Sequence, residues 1–272
     1  MPKISVIMGI YNSKSYDYLE KALKSILNQT YTDFELIICD DGSTNSCVSW
    51  AKEIVGEDTR VKFIKNSKNS GLAYTLNHCL EVATGEYIAR MDDDDVSNLT
   101  RFEKQMDFVE SHPEYDVVGT IADICDENDE IYGAYLLDEF VTSKSFLWNC
   151  PLLHPTIIAK KESLEKVGGY RVAKETTRYE DYDLFMRMYA KGMKMYNVQD
   201  KMLTYRMIND PKKKYRPMKV RLEEVVVRFK GYKEMGILIK GIPFIIKPII
   251  VGLIPARLFA ECKKVLFKEK KK

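Results

Sequence analysis

Four consecutive aspartates, Asp92 to Asp95, are the residues of this sequence best suited to do chemistry. A pair of carboxylates about 4 Å apart repels by roughly 1 kcal/mol in bulk water and roughly 4 kcal/mol at an effective dielectric of 20. A hard divalent cation relieves that repulsion, because Mg²⁺ or Mn²⁺ prefers carboxylate oxygens and takes further ligands from water and phosphates. The alternative is a solvated acidic turn, and the position of the run in the fold decides between the two.

That position is the end of a strand. The aspartates closely follow Gly85 to Ile88, a short run that predicts a buried strand. After them, Asn98 or Thr100 could cap a helix whose apolar residues recur at helical spacing, namely Phe102, Met106 and Val109. Ligands bind at the carboxyl ends of strands in open α/β sheets, so the position favours the cation-binding interpretation.

The amino-terminal half alternates strands and helices, which predicts βαβ units and a mostly parallel sheet with helices on both faces. Strands are expected at 4–10, 34–39 and 61–64, and helices at 18–27, 46–55 and from 71 onwards. The first strand leads into Tyr11 and Asn12, and the second into Asp40 to Ser43. Because parallel strands end at one edge, these turns should lie beside the aspartate run.

An aromatic ring, a carboxylate and a metal-binding turn on one edge suit a nucleoside diphosphate. Tyr11 could stack on the base, a contact worth roughly 1–3 kcal/mol in nucleic-acid sites. Asp41 could accept a hydrogen bond from the base or from a ribose hydroxyl. Each also has a structural interpretation, since Tyr11 could be a packing residue and Asp-Gly is ordinary turn chemistry. The prediction of a nucleoside-diphosphate site therefore rests on the combination of the ring, the carboxylate and the metal-binding turn.

The composition is that of an ordinary globular protein, with 272 residues, 45% apolar and 30% charged, enough for one sizeable domain and an appendage. A formal charge of +2 is too small to favour nucleic acid as a partner. The six cysteines show no CxxC and no zinc-like spacing with the three histidines. Cys39 and Cys79 are expected to be buried thiols. With no signal peptide recognised, a reducing, cytoplasmic compartment is expected.

Several motifs follow one another along the chain: Ser5 to Met8 with Tyr11-Asn12, Ser25 to Thr30, Phe34 to Ser43, Gly71 to Ala73 with Asn77, Gly85 to Asp92, His154-Pro155, Gly168 to Tyr170 and Glu180 to Asp183. As a set they resemble the family 2 glycosyltransferases, over roughly residues 3–206. The resemblance is strongest to bacterial members that build capsule, exopolysaccharide or spore-coat polysaccharides. It implies the α/β GT-A fold, with a Rossmann-like, mostly parallel sheet flanked by helices.

The resemblance also implies an inverting, metal-dependent transfer from a nucleotide-diphosphate sugar, with UDP as the expected nucleotide. It assigns Tyr11 and Asp41 to the uracil. The Asp-x-Asp motif of the family maps onto Asp92 and Asp94. Asp92 and Asp93 are then on the nucleotide side and Asp94 is the ligand of Mn²⁺ or Mg²⁺. Four adjacent aspartates leave the register of the motif open by one.

Glu180, Asp181 and Asp183 open a helix expected to run through about Ala190. Acids in the first turn suit the helix dipole, which is their structural interpretation. The resemblance implies that Asp181 is the catalytic base for the acceptor hydroxyl, a role typically worth about 10²–10⁴-fold in rate. It places Glu180 and His154 on the acceptor side, although a lone histidine is more often structural.

The chain divides into a GT-A domain at 1–210 and a tail at 211–272, and the domain into a nucleotide-binding half, 1–97, and an acceptor-binding half, 98–210. The tail begins with a basic linker and an amphipathic helix expected at 220–232. The apolar stretch that follows raises the question of whether the tail contacts a membrane or protein.

The stretch at 242–256 is strongly apolar, but Lys247 and three prolines interrupt it, and it is shorter than the roughly 20 residues of a spanning helix. Apolar residues framed by lysines predict an element lying on the anionic inner face of the cell membrane. That location would suit a polyprenyl-diphosphate-linked saccharide acceptor. The alternative is a helical hairpin packed on the domain or on the partner of a homodimer.

The α/β pattern is also found in two other classes of protein. A nicotinamide-dependent oxidoreductase is disfavoured, because the first strand is followed by Gly9-Ile10-Tyr11-Asn12 and not by GxGxxG. A non-catalytic nucleotide-sugar-binding or scaffold protein stays as the alternative function. The presence of both the aspartate run and Asp181 argues against it.

Overall fold

Strands and helices alternate through the amino-terminal half, as predicted. The structure, a computed structural model, describes residues 1–207 and 216–253. The first elements are β1 (Ile4–Ile10), α1 (Tyr16–Leu27), β2 (Phe34–Asp40), α2 (Cys47–Val55), β3 (Val61–Lys65), α3 (Leu72–Val82) and β4 (Tyr87–Arg90). Their bounds are close to those expected from the apolar periodicity.

These four strands form the parallel part of one sheet, in the order β3-β2-β1-β4. Ile4 is level with Phe34 of β2 and with Tyr87 of β4. Because of this register, the turns that follow β1, β2 and β4 lie along one edge, which confirms the prediction from their positions. Cys39 and Cys79 are buried free thiols, also as predicted.

The carboxyl-terminal half adds strands that run in both directions. Its elements are β5 (Val96–Ser97), α4 (Arg101–Ser111), β6 (Val117–Cys125), β7 (Ile131–Tyr135), α5 (Ser145–Trp148), a 3₁₀ helix (His154–Thr156), β8 (Ile158–Lys160), α6 (Lys161–Lys166), α7 (Glu180–Ala190) and β9 (Met195–Arg206). The helix expected after the aspartates is α4, and the helix expected to begin at Glu180 is α7.

The sheet is mixed, and the prediction of a mostly parallel sheet is wrong for this half. Strand β8 lies between β4 and β6 and is antiparallel to both, whereas β6 and β9 are parallel. A parallel neighbour requires a crossover connection, usually a helix of several turns. Between β6 and β8 the chain has β7, the one-turn α5 and the 3₁₀ helix. None of these is a crossover helix of several turns, so β8 returns in the antiparallel direction.

Apolar side chains cover both faces of the sheet. Along β1, Val6 and Met8 belong to the core that includes α1 and α2, and Ile7 between them belongs to the core that includes α3 and α7. Successive residues of a strand point to opposite faces, so this strand is buried on both faces, and its one polar side chain, Ser5, donates a hydrogen bond to Glu35. Burial on both faces fixes the register and, with it, the positions of the strand ends.

The tail packs on the domain as two antiparallel helices, α8 (Met218–Glu234) and α9 (Leu238–Leu253). A helix is present within α8 as expected, but the expected amphipathic pattern is not, since Arg221 and Arg228 are buried while Leu222 and Phe229 are exposed. Gly231 lets α8 approach α7 closely, since a Cβ there would lie 2.3 Å from Sδ of Met186. Residues 212–215 of the basic linker, the chain beyond 253 and Cys262 fall outside the described residues. Within 1–207 and 216–253, no helix combines the length and apolarity needed to cross a membrane.

Arg101, the first residue of α4, ties the end of β4 to the 3₁₀ helix. Its buried guanidinium donates to the carbonyl of Pro155 at 2.8 Å and to the carbonyl of Arg90 at 3.0 Å. Burial lowers the pKa of Arg101 to about 9, and the nearby charge of Asp95 opposes that shift. The two segments that Arg101 joins both carry candidate site residues, so this side chain fixes their separation.

We expect Arg101→Met to lower the free energy of unfolding by about 2–4 kcal/mol, because two buried carbonyls would lose this donor. Urea denaturation followed by circular dichroism measures the change. Lys104→Met on the same helix is the matched control, since Lys104 makes only an exposed ion pair with Asp200 and should contribute less than about 1 kcal/mol. Equal stabilities of the two variants would contradict the expectation.

Candidate functional site

A cleft of about 430 Å³ opens along the carboxyl edge of the parallel strands. The end of β4 contributes Arg90 and Asp92 to its lining, and the first turn of α7 contributes Glu180 and Asp181. His154 lines it as well. The fold therefore brings Asp92 of the aspartate run into one cleft with the predicted base and the predicted acceptor-side residues, which lie far apart in the sequence.

The carboxylates of the aspartate run have different partners. Asp92 forms an ion pair with the buried Arg90. Asp93 accepts a hydrogen bond from the hydroxyl of Ser13. Asp95, which is fully buried, accepts the backbone N–H of the last residue of β9 at 2.8 Å. The run is therefore a shaped turn with fixed side-chain directions and not a uniformly solvated one.

Three of the aspartates could hold a metal ion together. Carboxylate oxygens of Asp92, Asp94 and Asp95 lie within 4.8 Å of one another. Oδ2 of Asp95 is buried and has no hydrogen-bond partner among the described residues. Desolvation, followed by the charges of Asp92 and Asp93, raises the pKa of Asp94 to about 7. The all-carboxylate set fits Mg²⁺ or Mn²⁺, which would satisfy the orphaned oxygen and relieve the repulsion.

Asp41 organises the loop that precedes α3. Its Oδ1 accepts the side-chain amide of Asn66 and the backbone N–H of Ser70, and its Oδ2 accepts the N–H of Gly71, each at 2.8 Å. The protein's own donors thus occupy most of this buried carboxylate, so Asp41 has a clear structural role. Oδ2 keeps one lone pair for a further donor, which leaves the predicted contact with a base N–H open.

Tyr11 lies at the end of β1, next to the turn that carries Asp41. Its side chain is 49% exposed, so Tyr11 is not a core packing residue. The following Asn12 accepts the backbone N–H groups of Thr44 and Asn45 through its Oδ1, which holds the turn after β1 against the turn after β2. An exposed ring on this edge can stack on a planar ligand, as predicted.

Asp181 and Glu180 occupy the first turn of α7. Burial raises the pKa of Asp181, and burial followed by the charge of Asp181 raises the pKa of Glu180 to about 7. The backbone N–H of Tyr182 donates to Oδ1 of Asp181 at 2.7 Å and orients the carboxylate. A desolvated carboxylate with a raised pKa is suited to take a proton from a hydroxyl.

His154 is held by its neighbours. Its Nε2 lies 2.8 Å from the hydroxyl of Tyr170, and the ring packs edge-on against Phe185. Burial, and then the charge of Arg90, keeps the pKa of His154 well below its usual value, so the ring is neutral. These contacts favour a structural role. Because His154 also lines the cleft, a contact with a substrate is compatible with the geometry.

Sequence reasoning missed several residues of the site, among them Arg90 and Asp95. Arg90 lies within the motif that ends in Asp92, but the sequence assigned it no role. No signal distinguishes Asp95, because a run of identical residues carries no register. The tail residues that line the cleft, Arg216, Glu224 and Arg228, were also missed, since their distance in sequence hides the contact.

The arrangement divides the cleft between two kinds of chemistry. The aspartates can hold a cation and an anionic group bound to it, while Asp181 can accept a proton. A substrate spanning the cleft would therefore have its leaving group near the aspartates and an attacking hydroxyl near α7. This geometry suits the displacement of a phosphate leaving group by a hydroxyl.

The chain is similar to proteins of one known family. The model of the family described as glycosyl transferase family 2 matches residues 5–168. EpsE of Bacillus subtilis is 37% identical over 94% of this chain and 91% of its own length. The UDP-Gal:alpha-D-GlcNAc-diphosphoundecaprenol beta-1,3-galactosyltransferase of Escherichia coli is 28% identical over 85% of this chain and 84% of its own length.

Among solved structures, the crystal structure of S. aureus TarS 1–349 in complex with UDP-GlcNAc superposes with a TM-score of 0.66. The match covers 90% of this chain and 73% of that chain at 20% identity. At this level of identity the likeness supports the fold alone, an α/β GT-A fold with a mixed sheet flanked by helices.

Proposed function

Because this chain belongs to glycosyl transferase family 2, we propose that it moves a sugar from a UDP-sugar to a saccharide acceptor, with inversion and with a divalent metal. It is a glycosyltransferase with relatives in polysaccharide biosynthesis. The observation that carries the proposal is that one cleft holds both the Asp92 carboxylate of the aspartate run and the desolvated carboxylate of Asp181.

Uridine is the nucleoside that the residues on the sheet edge support best. Tyr11 would stack on the uracil, and the free lone pair of Asp41 Oδ2 would accept its N–H. TarS has been crystallised with UDP-GlcNAc, and UDP-Gal stands in the name of the galactosyltransferase, which adds support. Asp92 would lie on the nucleotide side, whereas Asp93, engaged by Ser13, would act through the shape of the turn.

Asp94 and Asp95, with Asp92, would hold Mn²⁺ or Mg²⁺. When bound, such an ion would neutralise charge on the departing diphosphate. The orphaned Oδ2 of Asp95 and the raised pKa of Asp94 support this assignment, since both describe carboxylates that lack a positive partner.

The proton would pass to Asp181. As the acceptor oxygen attacks the anomeric carbon from the side opposite the diphosphate, Asp181 would take the hydroxyl proton. The bond to the β-phosphate oxygen breaks with its electron pair, so a single displacement inverts the anomeric centre. The N–H of Tyr182 holds one oxygen of Asp181 in place and leaves the other for the proton. Glu180 and His154 would contact the acceptor.

A lipid-linked saccharide is the acceptor we propose. The galactosyltransferase that is 28% identical to this chain carries a diphosphoundecaprenol-linked acceptor in its name, and the tail offers a surface for the membrane in which such a lipid resides. We therefore place the protein at the inner face of the cell membrane, bound peripherally.

That surface is the outer side of α8 and α9, opposite the side that packs on the domain. On α9 the buried residues are Gly241, Ile245 and Pro248. The exposed apolar residues are Leu222, Val226 and Phe229 of α8 and Ile239, Ile242, Ile246, Ile250 and Leu253 of α9. Helix α9 has no acidic residue and carries Lys240 and Lys247. Lys247 donates to the carbonyl of Trp148 on the domain, whereas Lys240 is exposed. An apolar face with an exposed lysine and no acid on α9 suits an anionic bilayer surface.

Asp181→Asn should lower kcat by about 10²–10⁴-fold, because the variant lacks a proton acceptor, while UDP affinity stays unchanged. Glu180→Gln is the matched neighbouring control, and its kcat should fall less than that of Asp181→Asn. UDP release in the presence of acceptor measures turnover. Because the base must be ionised, kcat/KM should fall as pH drops through the raised pKa of Asp181, above the usual value of about 3.9. Wild-type turnover of Asp181→Asn would refute the assignment.

UDP should bind more tightly in the presence of Mn²⁺, and Asp94→Ala or Asp95→Asn should each lower that affinity by about tenfold or more. Calorimetric titration of UDP, GDP and dTDP, with and without Mn²⁺, measures the preference and its metal dependence. Asp107→Asn, an exposed acid on α4, is the control. If UDP bound tightly without Mn²⁺ and bound these variants as tightly as wild type, the proposed metal site would be excluded.

Vesicles containing anionic phospholipid should sediment the protein, and neutral vesicles should do so weakly. The double variant Ile246→Asp, Ile250→Asp should lose most of this binding, and raised salt should weaken it because charged headgroups are screened. Leu99→Asp, at an exposed apolar position outside the tail, is the control. If wild type did not sediment with anionic vesicles, the membrane surface would be rejected and a protein partner or second copy tested instead.

A further inference from the structure

Arg90 is a buried cation of the cleft to which the proposed reaction assigns no role. It ends β4, its side chain is 3% exposed, and it lines the cleft together with Asp92, Glu180 and Asp181. A buried guanidinium normally has its donors paired. The partners of Arg90 therefore indicate whether it serves the fold or a ligand.

Most of the donors of Arg90 are unused. A guanidinium carries five N–H groups, and Nη2 of Arg90 pairs with Asp92. Nε and Nη1 have no acceptor among the residues that the structure describes. Arg101, which is equally buried, uses both terminal nitrogens on backbone carbonyls. Among the same residues, Arg101 leaves only its Nε unpaired and serves the fold, whereas Arg90, which lines the cleft, has two of its three nitrogens unpaired.

The position of Arg90 identifies the group that these donors would meet. Through Nη2 it contacts Asp92, whose carboxylate lies within 4.8 Å of those of Asp94 and Asp95. A diphosphate bound beside those aspartates would lie next to Arg90. Glu180 and Asp181 line the same cleft, so the sugar and the acceptor would extend from the phosphate towards α7.

We propose that Arg90 donates hydrogen bonds to the β-phosphate of the nucleoside-diphosphate sugar, at the oxygen that leaves the anomeric carbon. The inference rests on the proposed function. As the bond between the anomeric carbon and this oxygen breaks, the electron pair stays on the phosphate. The acceptor oxygen forms the new bond and its proton passes to Asp181. Arg90 supplies fixed N–H donors where negative charge develops.

Comparing UDP with UMP tests this contact, because UMP lacks the β-phosphate. In calorimetric titrations at saturating Mn²⁺, Arg90→Met should bind UDP about tenfold more weakly and UMP as wild type does. Its kcat for UDP-sugar turnover should fall by about 10²–10³-fold. Arg90→Lys keeps the charge and a donor for Asp92 but has fewer N–H groups than arginine. Its losses of UDP affinity and kcat should therefore be smaller than those of Arg90→Met. Arg60→Met, which removes an arginine paired with Asp58, should change neither affinity.

Three outcomes would overturn the proposal. If Arg90→Met weakened UDP and UMP equally, or weakened Mn²⁺ binding measured without nucleotide, Arg90 would only orient Asp92. If it kept wild-type UDP affinity and kcat, the contact would not exist. Should Arg90→Met fail to fold, the same titrations on Arg90→Lys decide by the UDP-to-UMP affinity ratio. Wild type that bound no UDP would instead refute the proposed function, which separates the two failures.

Discussion

Repulsion among carboxylates is the constraint on which this structure depends. Seven carboxyl groups are concentrated at the end of β4 and the start of α7. Desolvation is the main cause of the raised pKa of five of them, Asp93, Asp94, Asp95, Glu180 and Asp181. Each close pair costs roughly 4 kcal/mol at an effective dielectric of 20. The two-sided core of the sheet offsets this cost, so the sheet stabilises a site that the isolated turn could not maintain.

Arginines around the site hold its backbone and leave several carboxylates uncompensated. Arg206 donates through Nε to the carbonyl of Asp94 at 2.9 Å, and Arg101 holds the carbonyls of Arg90 and Pro155. The aspartates are thereby fixed in position while the Oδ2 atom of Asp95 keeps no partner among the described residues. Such a site would be pre-organised for the proposed cation, since binding would relieve repulsion without requiring the backbone to move.

The parallel half of the fold could be predicted because its information is local. Apolar runs such as Ile4–Ile10 alternate with helical periodicity, and the turn residues after each strand then fall on one edge. The direction of β8 could not be predicted, because its pairing with β4 and β6 joins segments distant in sequence. The same contrast between local and long-range information applies to the site. Asp181 was found through its motif, whereas Asp95 was missed because four identical residues hide which oxygens converge.

The two interpretations of the tail are compatible, because they concern opposite sides of the same helices. The inner side of α8 packs on the domain and brings Glu224 and Arg228 to the cleft, which is the packing alternative. The outer side, with Leu222 and Phe229 exposed, is the side proposed to meet the membrane. Helix α8 would then touch the bilayer with one face and the acceptor with the other. A lipid-linked saccharide, whose diphosphate lies at the bilayer surface, could thus reach Asp181 without leaving its membrane.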